Sequence, residues 1–383
     1  MPKGFIVSVE IVIPEAVSLF MDCKMKKMST KEVKNKIRKK RKKKKALTGS
    51  DFLSTGSTLL NLACTGFPER GFAKGRYYFV VGDTISGKTW LALTCLAEAS
   101  INSNFKDYRF IYDNVEDGAL MDIKKYFGED VFLRMELPGY NCSYNIQEFY
   151  YNMDDAINEG RPFIYILDSM DSLTSEAEVK KFDENKKAYR KGKETKGSYG
   201  DKAKVNSAML RRVVGKSLLK SGSILIIINQ TRDKVDASRF ESKKTCSGGH
   251  ALHFYACMEL LSSVAGQIKK EVRKKKRQMG VNCRIRVKKN RVTGKDRTVT
   301  IPIYHSFGID DVGSCVDYLL EEGHWKKHKD VINAKGLGIK GSRRKLIRLV
   351  ERGELEKDLQ ELVSDVWGEI EMACVIKRKP RYV

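Results

Sequence analysis

Residues 82 to 89 read Gly-Asp-Thr-Ile-Ser-Gly-Lys-Thr, between an apolar run, Tyr77-Tyr78-Phe79-Val80-Val81, and a helix-forming run that starts at Lys88. Strand, glycine loop and helix in that order are what a phosphate-binding loop requires. Gly82 and Gly87 let the backbone curl so that successive N–H groups point inward at phosphate oxygens, and the helix start adds positive potential. In such a loop Lys88 reaches the β and γ phosphates and the Thr89 hydroxyl holds Mg²⁺. The expected nucleotide contacts are therefore Gly82, Asp83, Thr84, Ile85, Ser86, Gly87, Lys88, Thr89 and Trp90.

This loop restricts the fold to an α/β class, and the rest of the chain agrees. From Thr48 to about His305, β-rich runs alternate with helical stretches, the pattern of a largely parallel twisted sheet flanked by helices. Strands are expected at 77–81, 109–112, 163–167, 224–228, 258–262, 284–288 and 299–303. Several are unbroken Ile, Val and Tyr runs, as in strands buried on both faces. Two polar stretches, 176–204 and 231–247, interrupt the rhythm and read as structureless insertions, functional or disordered. The expected domains are a basic N-terminal arm, 1–46, read as a solvated tail or as a segment for nucleic-acid contact or oligomerisation; a nucleotide-binding core, 47–305; and a small C-terminal lobe, 306–383. In the lobe Leu346, Leu349, Val350, Leu355, Leu359, Leu362, Val363 and Val366 have helical spacing.

Charge narrows the partners. Lys and Arg number 73 against 48 Asp and Glu, a net charge of +25, which points to a polyanion. Residues 31–45 hold eleven Lys or Arg and one Glu, so a net +15 remains elsewhere and basicity is distributed. The nine cysteines include no Cys-x-x-Cys pair, which argues against a disulfide framework or a zinc site and for a reducing cytoplasm, a host's if the chain is phage-encoded. The apolar start, 5–20, is broken by Glu10, Pro14 and Glu15, so no signal peptide or membrane span is expected.

Carboxylates at strand ends supply the remaining chemistry. The run 163–167 ends in Asp168-Ser169, where a carboxylate would lie beside the Mg²⁺ on Thr89; a turn cap is the alternative. Strand 109–112 leads into Asp113-Asn114-Val115-Glu116-Asp117. Glu116 is the chosen base for the attacking water, Asp113 and Asp117 are its rivals, and helix capping is the structural alternative. Strand 224–228 ends in Asn229-Gln230-Thr231-Arg232, where an amide can touch the γ-phosphate or simply satisfy the strand end. The run 269–277 reads as a solvated hairpin tip, with DNA phosphate contact as the alternative.

In this order the motifs resemble the RecA-type recombinases. The matching pieces are Leu53-Ser54-Thr55-Gly56-Ser57, the loop 82–89, Asp168-Ser169, Ile228-Asn229-Gln230-Thr231-Arg232 and Ser247-Gly248-Gly249-His250-Ala251-Leu252-His253-Phe254-Tyr255-Ala256. Arg286-Val287-Lys288-Lys289-Asn290-Arg291 and Phe307-Gly308-Ile309-Asp310 follow, so the similarity spans about 50–322. The phosphate loop is common to many NTPases; Asn-Gln-x-Arg followed by Gly-Gly-x-Ala-Leu-x-Phe-Tyr-Ala is far more specific.

The resemblance implies a RecA-like P-loop NTPase core, with ATP and Mg²⁺, acting as a DNA-dependent ATPase. It assigns water activation to Glu116, γ-phosphate sensing to Gln230, and trans contact with the neighbouring subunit's nucleotide to Lys289 and Arg291. The insertions match mobile loops that grip single-stranded DNA. The first supplies Arg190, Lys191 and Tyr199; the second supplies Arg232, Lys234, Arg239, Phe240, Lys243 and Lys244, an aromatic among cations. Relatives place an adenine-stacking aromatic where this chain has Ile123.

The implied function is a homo-oligomeric filament on single-stranded DNA that pairs it with double-stranded DNA and exchanges strands. A recombination mediator using ATP as a switch, and a ring-forming helicase, are the alternatives. A phage or viral source suits the sequence as well as a cellular one.

Overall fold

The computed structural model describes residues 47–116, 121–193, 200–233, 244–379 and 381. All of the expected strands form, and they belong to one nine-stranded sheet. In chain order these are β1 (Arg76–Gly82), β2 (Arg109–Asn114), β3 (Met135–Glu136), β4 (Phe163–Asp168), β5 (Ile224–Gln230), β6 (Met258–Val272), β7 (Lys275–Asn290), β8 (Arg297–Tyr304) and β9 (Gly308–Ile309). Their order across the sheet is β9-β8-β7-β6-β1-β5-β4-β2-β3. Every junction from β6 to β3 is parallel, and β6 to β9 are joined antiparallel. Sheet order reverses at β1, whose carboxyl end carries the glycine loop, so the loop opens at a topological switch point.

The unbroken apolar strands divide their side chains between two cores, because successive residues of a strand face opposite ways. Tyr78, Val80, Ile164, Ile166, Ile226, Ile228 and Leu260 face one core. Tyr77, Phe79, Val81, Tyr165, Leu167, Leu225 and Ile227 face the other. The first is covered by α1 (Thr58–Thr65) and α2 (Lys88–Ile101), and the second by α3 (Ile146–Asn158). Each such large side chain contributes about 1.5–3 kcal/mol by burial.

Local sequence sets the helix ends. Ser57 caps α1 by accepting from Leu60 N, and Gly66 ends it at φ 83. Asn145 likewise caps α3 at Glu148 N. The insertion 176–204, expected to lack structure, contains α4 (Glu176–Tyr189), started by a reciprocal Ser175/Glu178 capping box. None of its residues is buried, so the apolar periodicity that reveals a helix is weak there and the cap is the remaining signal. The next helix, α5 (Asp201–Arg212), packs on α6 (His250–Tyr255) and lays Leu210 into the second core.

In the C-terminal segment, α7 (Asp311–Glu321), α8 (Arg343–Arg352) and α9 (Glu356–Ala373) lie around a small antiparallel sheet of 327–328, 331–334 and 339–341. Leu346, Val350, Leu359 and Val363 are buried in the same cluster as the first face of the large sheet. Asp311 ties α7 to α1, accepting from Thr58 N and Thr58 Oγ1, both at 2.7 Å.

Candidate nucleotide-binding site

The site is assembled where four parallel strands end side by side. Register places Gly82 opposite Gln230 across β1 and β5, and Asn114 opposite Asp168 across β2 and β4. Residues more than a hundred positions apart thus reach one cavity of about 260 Å³, lined by residues 84–90 with Glu116, Met121, Asp168 and Gln230.

The loop is held from outside as well as by its own turns. Gly87 adopts φ 80 directly before α2, and an added Cβ there would meet Ile303 Cδ1 at 2.5 Å. Ser262 Oγ donates to Ser86 O (2.5 Å), Ser86 Oγ to Asp83 O (2.7 Å), and Thr231 Oγ1 to Asp83 Oδ1 (2.5 Å). Lys88 Nζ donates to Gly82 O (3.0 Å) and Asp83 O (2.6 Å). Burial lowers its pKa, opposed by the nearby Asp168, Glu116 and Asp83. Thr84 and Ile85 are exposed. Trp90 lines the cavity and leans on Tyr126 (5.3 Å between centroids) and Phe127 (5.2 Å).

Thr89 Oγ1 donates to Asp168 Oδ2 at 2.7 Å, and Tyr112 OH donates to the same oxygen at 3.3 Å. Burial raises the Asp168 pKa, against the Thr89 hydrogen bond. A hydroxyl and a carboxylate in contact beside the loop are the hard oxygen donors that suit Mg²⁺.

Glu116 sits at the cavity mouth, positioned by its own N–H donating to Asp168 O (3.1 Å). Its Oε1 accepts from Gln230 Nε2 (2.7 Å), from Ser172 Oγ (3.3 Å) and from Ser169 Oγ. Asp113 is engaged elsewhere: it is buried and accepts from Ser143 N (2.8 Å), Ser143 Oγ (2.6 Å) and Tyr165 OH (2.7 Å). Asp117 lies outside the described residues.

Lys289 and Arg291 do not line this cavity. Lys289 Nζ donates to His253 O (2.6 Å) and Phe254 O (2.8 Å), and Arg291 donates to Phe254 O (2.7 Å), so both cap the end of α6. Ile123 opens the short helix 123–127 and packs against the core, while Met121 lines the cavity in its neighbourhood.

The two ends of the second insertion pair with each other. Arg232–Asp233 pairs antiparallel with Lys244–Thr245, and Asp171 joins the two ends, accepting from Arg232 (2.5 Å) and from Ser247 Oγ. Asn229 Nδ2 donates to Ser247 O (2.9 Å), next to Gln230. Arg190 and Lys191 are exposed just after α4. Tyr199, Lys234, Arg239, Phe240 and Lys243 lie outside the described residues. Ser169 and Thr231 stand in the quoted motifs without a role, and Ser172 and Ser262 went unmarked, because a hydroxyl's partner is known only once the sheet register brings it to the loop.

A family model described as the RecA N-terminal domain matches residues 20–310. Protein RecA of Chloroherpeton thalassium is 29% identical over 279 residues, covering 72% of this chain and 69% of the relative. Protein RecA of Cytophaga hutchinsonii is 26% identical over 314 residues, 80% of this chain and 79% of the relative, and that of Lactobacillus acidophilus is 26% identical over 345 residues, 88% and 86%. The matched stretch contains the whole glycine loop, the strand-end carboxylates and the Gln230 segment, and on that ground the chain belongs to the RecA N-terminal domain family.

Proposed function

We propose that this chain is an ATP-dependent recombinase that assembles on single-stranded DNA and promotes homologous pairing and strand exchange. The observation that carries the reading is the Gln230–Glu116 hydrogen bond (2.7 Å) at the mouth of the loop cavity. It joins the residue proposed to activate water to the strand that leads into the second insertion.

Gly82, Asp83, Thr84, Ile85, Ser86, Gly87, Lys88, Thr89 and Trp90 hold ATP, with Lys88 exchanging its loop carbonyls for phosphate oxygens. Thr89 and Asp168 hold Mg²⁺, which when bound neutralises phosphate charge. Glu116 accepts the proton of the attacking water. Gln230 leaves Glu116 when it meets the γ-phosphate, and its strand carries that change to Arg232 and Ser247. Lys289 and Arg291 stabilise charge at the next subunit's nucleotide, which makes turnover depend on assembly. The two insertions, through Arg190, Lys191, Tyr199, Arg232, Lys234, Arg239, Phe240, Lys243 and Lys244, grip single-stranded DNA. The arm 1–46 serves subunit docking and the segment 306–383 is an accessory lobe.

Negative-stain electron microscopy with single-stranded DNA, Mg²⁺ and a slowly hydrolysed ATP analogue tests this. Continuous helical filaments are expected. Closed rings would move the reading to a helicase, and unassembled particles to an ATP-switched mediator.

A further inference from the structure

One relay of polar contacts stands outside the nucleotide cavity. Cys246 Sγ lies 3.2 Å from His253 Nε2, and His253 Nδ1 lies 3.1 Å from Glu259 Oε1. Three segments bring these groups together. Cys246 follows the strand Lys244–Thr245 that ends the second insertion, His253 stands on α6, and Glu259 is the second residue of β6. The register of β6 on β1 sets Glu259 beside Phe79, on the sheet face that Leu252 of α6 covers. The Phe79 ring meets the imidazole edge-on, with centroids 5.1 Å apart.

Each group has a definite part in this geometry. A carboxylate only accepts, so Glu259 pairs with a protonated Nδ1, and Nε2 is the nitrogen left to exchange a proton with the sulfur. Glu259 is buried, and Lys288 Nζ supports it at 3.4 Å. The Cys246 and then the Glu259 hydrogen bond push the His253 pKa up to about 9, against burial. His253 is therefore an imidazolium at neutral pH. An imidazolium beside a thiol favours the thiolate, the nucleophilic form.

Access separates this thiol from most of the others. Cys64, Cys95, Cys257, Cys283 and Cys315 are buried, and burial pushes each of their thiols up. Buried thiols of that kind are inert. Cys246 is only half-buried, and with His253 and Glu259 it lines a cavity of about 640 Å³ that also reaches Asp83 of the glycine loop and Thr231.

We propose that Cys246 is a modification site for hydrogen peroxide, activated by His253 and positioned through Glu259. The thiolate attacks one peroxide oxygen, so that the S–O bond forms as the O–O bond breaks. The leaving hydroxide takes the Nε2 proton of His253 and departs as water. Sulfur is oxidised by two electrons to a sulfenic acid, peroxide is reduced by the same two, and the imidazole is left neutral. A sulfenic acid is returned to the thiol by reductants, so the modification is reversible.

The product disturbs a link that the proposed function uses. The adjacent Ser247 accepts from Asn229 Nδ2 at 2.9 Å and donates to Asp171. An oxygen added at Cys246, beside a discharged His253, displaces the segment that joins the Gln230 strand to the second insertion. Oxidation therefore weakens stimulation by single-stranded DNA. That consequence rests on the recombinase reading; the thiol chemistry does not.

The test treats the full-length chain with hydrogen peroxide, traps sulfenic acid with dimedone and follows each cysteine by peptide mass spectrometry. Cys374, exposed at the end of α9, is the comparison. Reactivity set by exposure alone favours Cys374, whereas reactivity set by the His253 pair favours Cys246. Cys246 is expected to be labelled at least about tenfold faster than Cys374, and His253→Gln should remove that lead. Glu259→Gln should reduce it and lower the ultraviolet thiolate absorbance that Cys246→Ser removes, a signature that loss of packing alone does not move. Equal labelling of the two cysteines in the parent chain, or an unchanged rate in His253→Gln, would overturn the proposal. Peroxide should also cut single-strand stimulation of the ATPase at least about twofold, reversibly on adding dithiothreitol, and leave Cys246→Ser unaffected. Undiminished stimulation with Cys246 oxidised would overturn the coupling to the insertion. Absence of stimulation from the untreated chain would sink the recombinase reading instead, leaving the labelling result intact.

Discussion

Gln230 Nε2 donates to Glu116 Oε1 across 2.7 Å, bridging the ends of β5 and β2 over the mouth of the glycine loop. The bond falls on the carboxylate proposed to take a proton from water, and on the proposed mechanism Gln230 leaves it on meeting the γ-phosphate. Glu116→Gln keeps the amide contact and removes the base. Turnover should fall about 10²- to 10⁴-fold while ATP still binds; single-turnover hydrolysis alongside calorimetric titration measures both, and near-normal turnover would remove Glu116 from the mechanism.

Gln230→Ala should leave ATP binding in place but uncouple it from DNA. The strand that carries Gln230 also carries Asn229, whose amide holds Ser247. The expected result is basal ATPase with little stimulation by single-stranded DNA. Full stimulation would show that the signal travels by another route.

Lys289 and Arg291 cap α6 of their own chain and stand clear of their own phosphate cavity. Lys289→Ala and Lys88→Ala should each abolish turnover. Mixed together they should regain part of it, because junctions form in which an intact loop meets intact cations from the neighbour. A mixture as inert as its components would contradict action across subunits.

Gly82 has an ordinary φ, and what it needs is room: a Cβ there would lie 2.1 Å from Ser262 O. Gly82→Ala must push β1 and β6 apart, at a cost of about 1–3 kcal/mol, and ATP affinity should fall with it. Urea unfolding reads the first effect and titration the second; stability equal to the parent chain would show that the strands can part freely.

His253 gives a pH signature. Its Nε2 lies 3.2 Å from Cys246 Sγ and its Nδ1 3.1 Å from Glu259 Oε1, with Lys288 also on Glu259. The Cys246 and then the Glu259 hydrogen bond push its pKa up to about 9, against burial. A raised histidine value stabilises the fold fully below the unfolded value of about 6.5 and loses that contribution as pH rises through the folded one. The gap in urea midpoint between the parent and His253→Gln should therefore be widest in mild acid and close in alkali beyond about 9. A gap that does not vary with pH would mean His253 acts by packing alone.

Much of this molecule was legible in one dimension because its signals are local. Gly82 and Gly87 with Lys88 and Thr89 announce a phosphate loop through short-range backbone geometry, and the apolar runs at 77–81, 163–167 and 224–228 announce buried strands through their composition. Asp168 and Glu116 were readable as strand-end carboxylates. Local signals failed where the outcome depended on what lay opposite. Asp113 resembled Glu116 until Ser143 and Tyr165 closed around it, and α4 lacked the buried stripe that marks most helices.

By itself the sequence determined the α/β class, the loop and its strand-helix setting, the carboxylates available to it, and the excess of positive charge. Each follows from short-range sterics, hydrophobic pattern or net charge, which need no knowledge of distant neighbours. Only the tertiary structure decided that Gly82 lies opposite Gln230, that Gln230 holds Glu116, and that the basic run 269–277 stands on a ribbon beyond the sheet. Those relationships depend on strand order and register, which are set by the joint packing of both faces of the sheet and belong to no single segment of the chain.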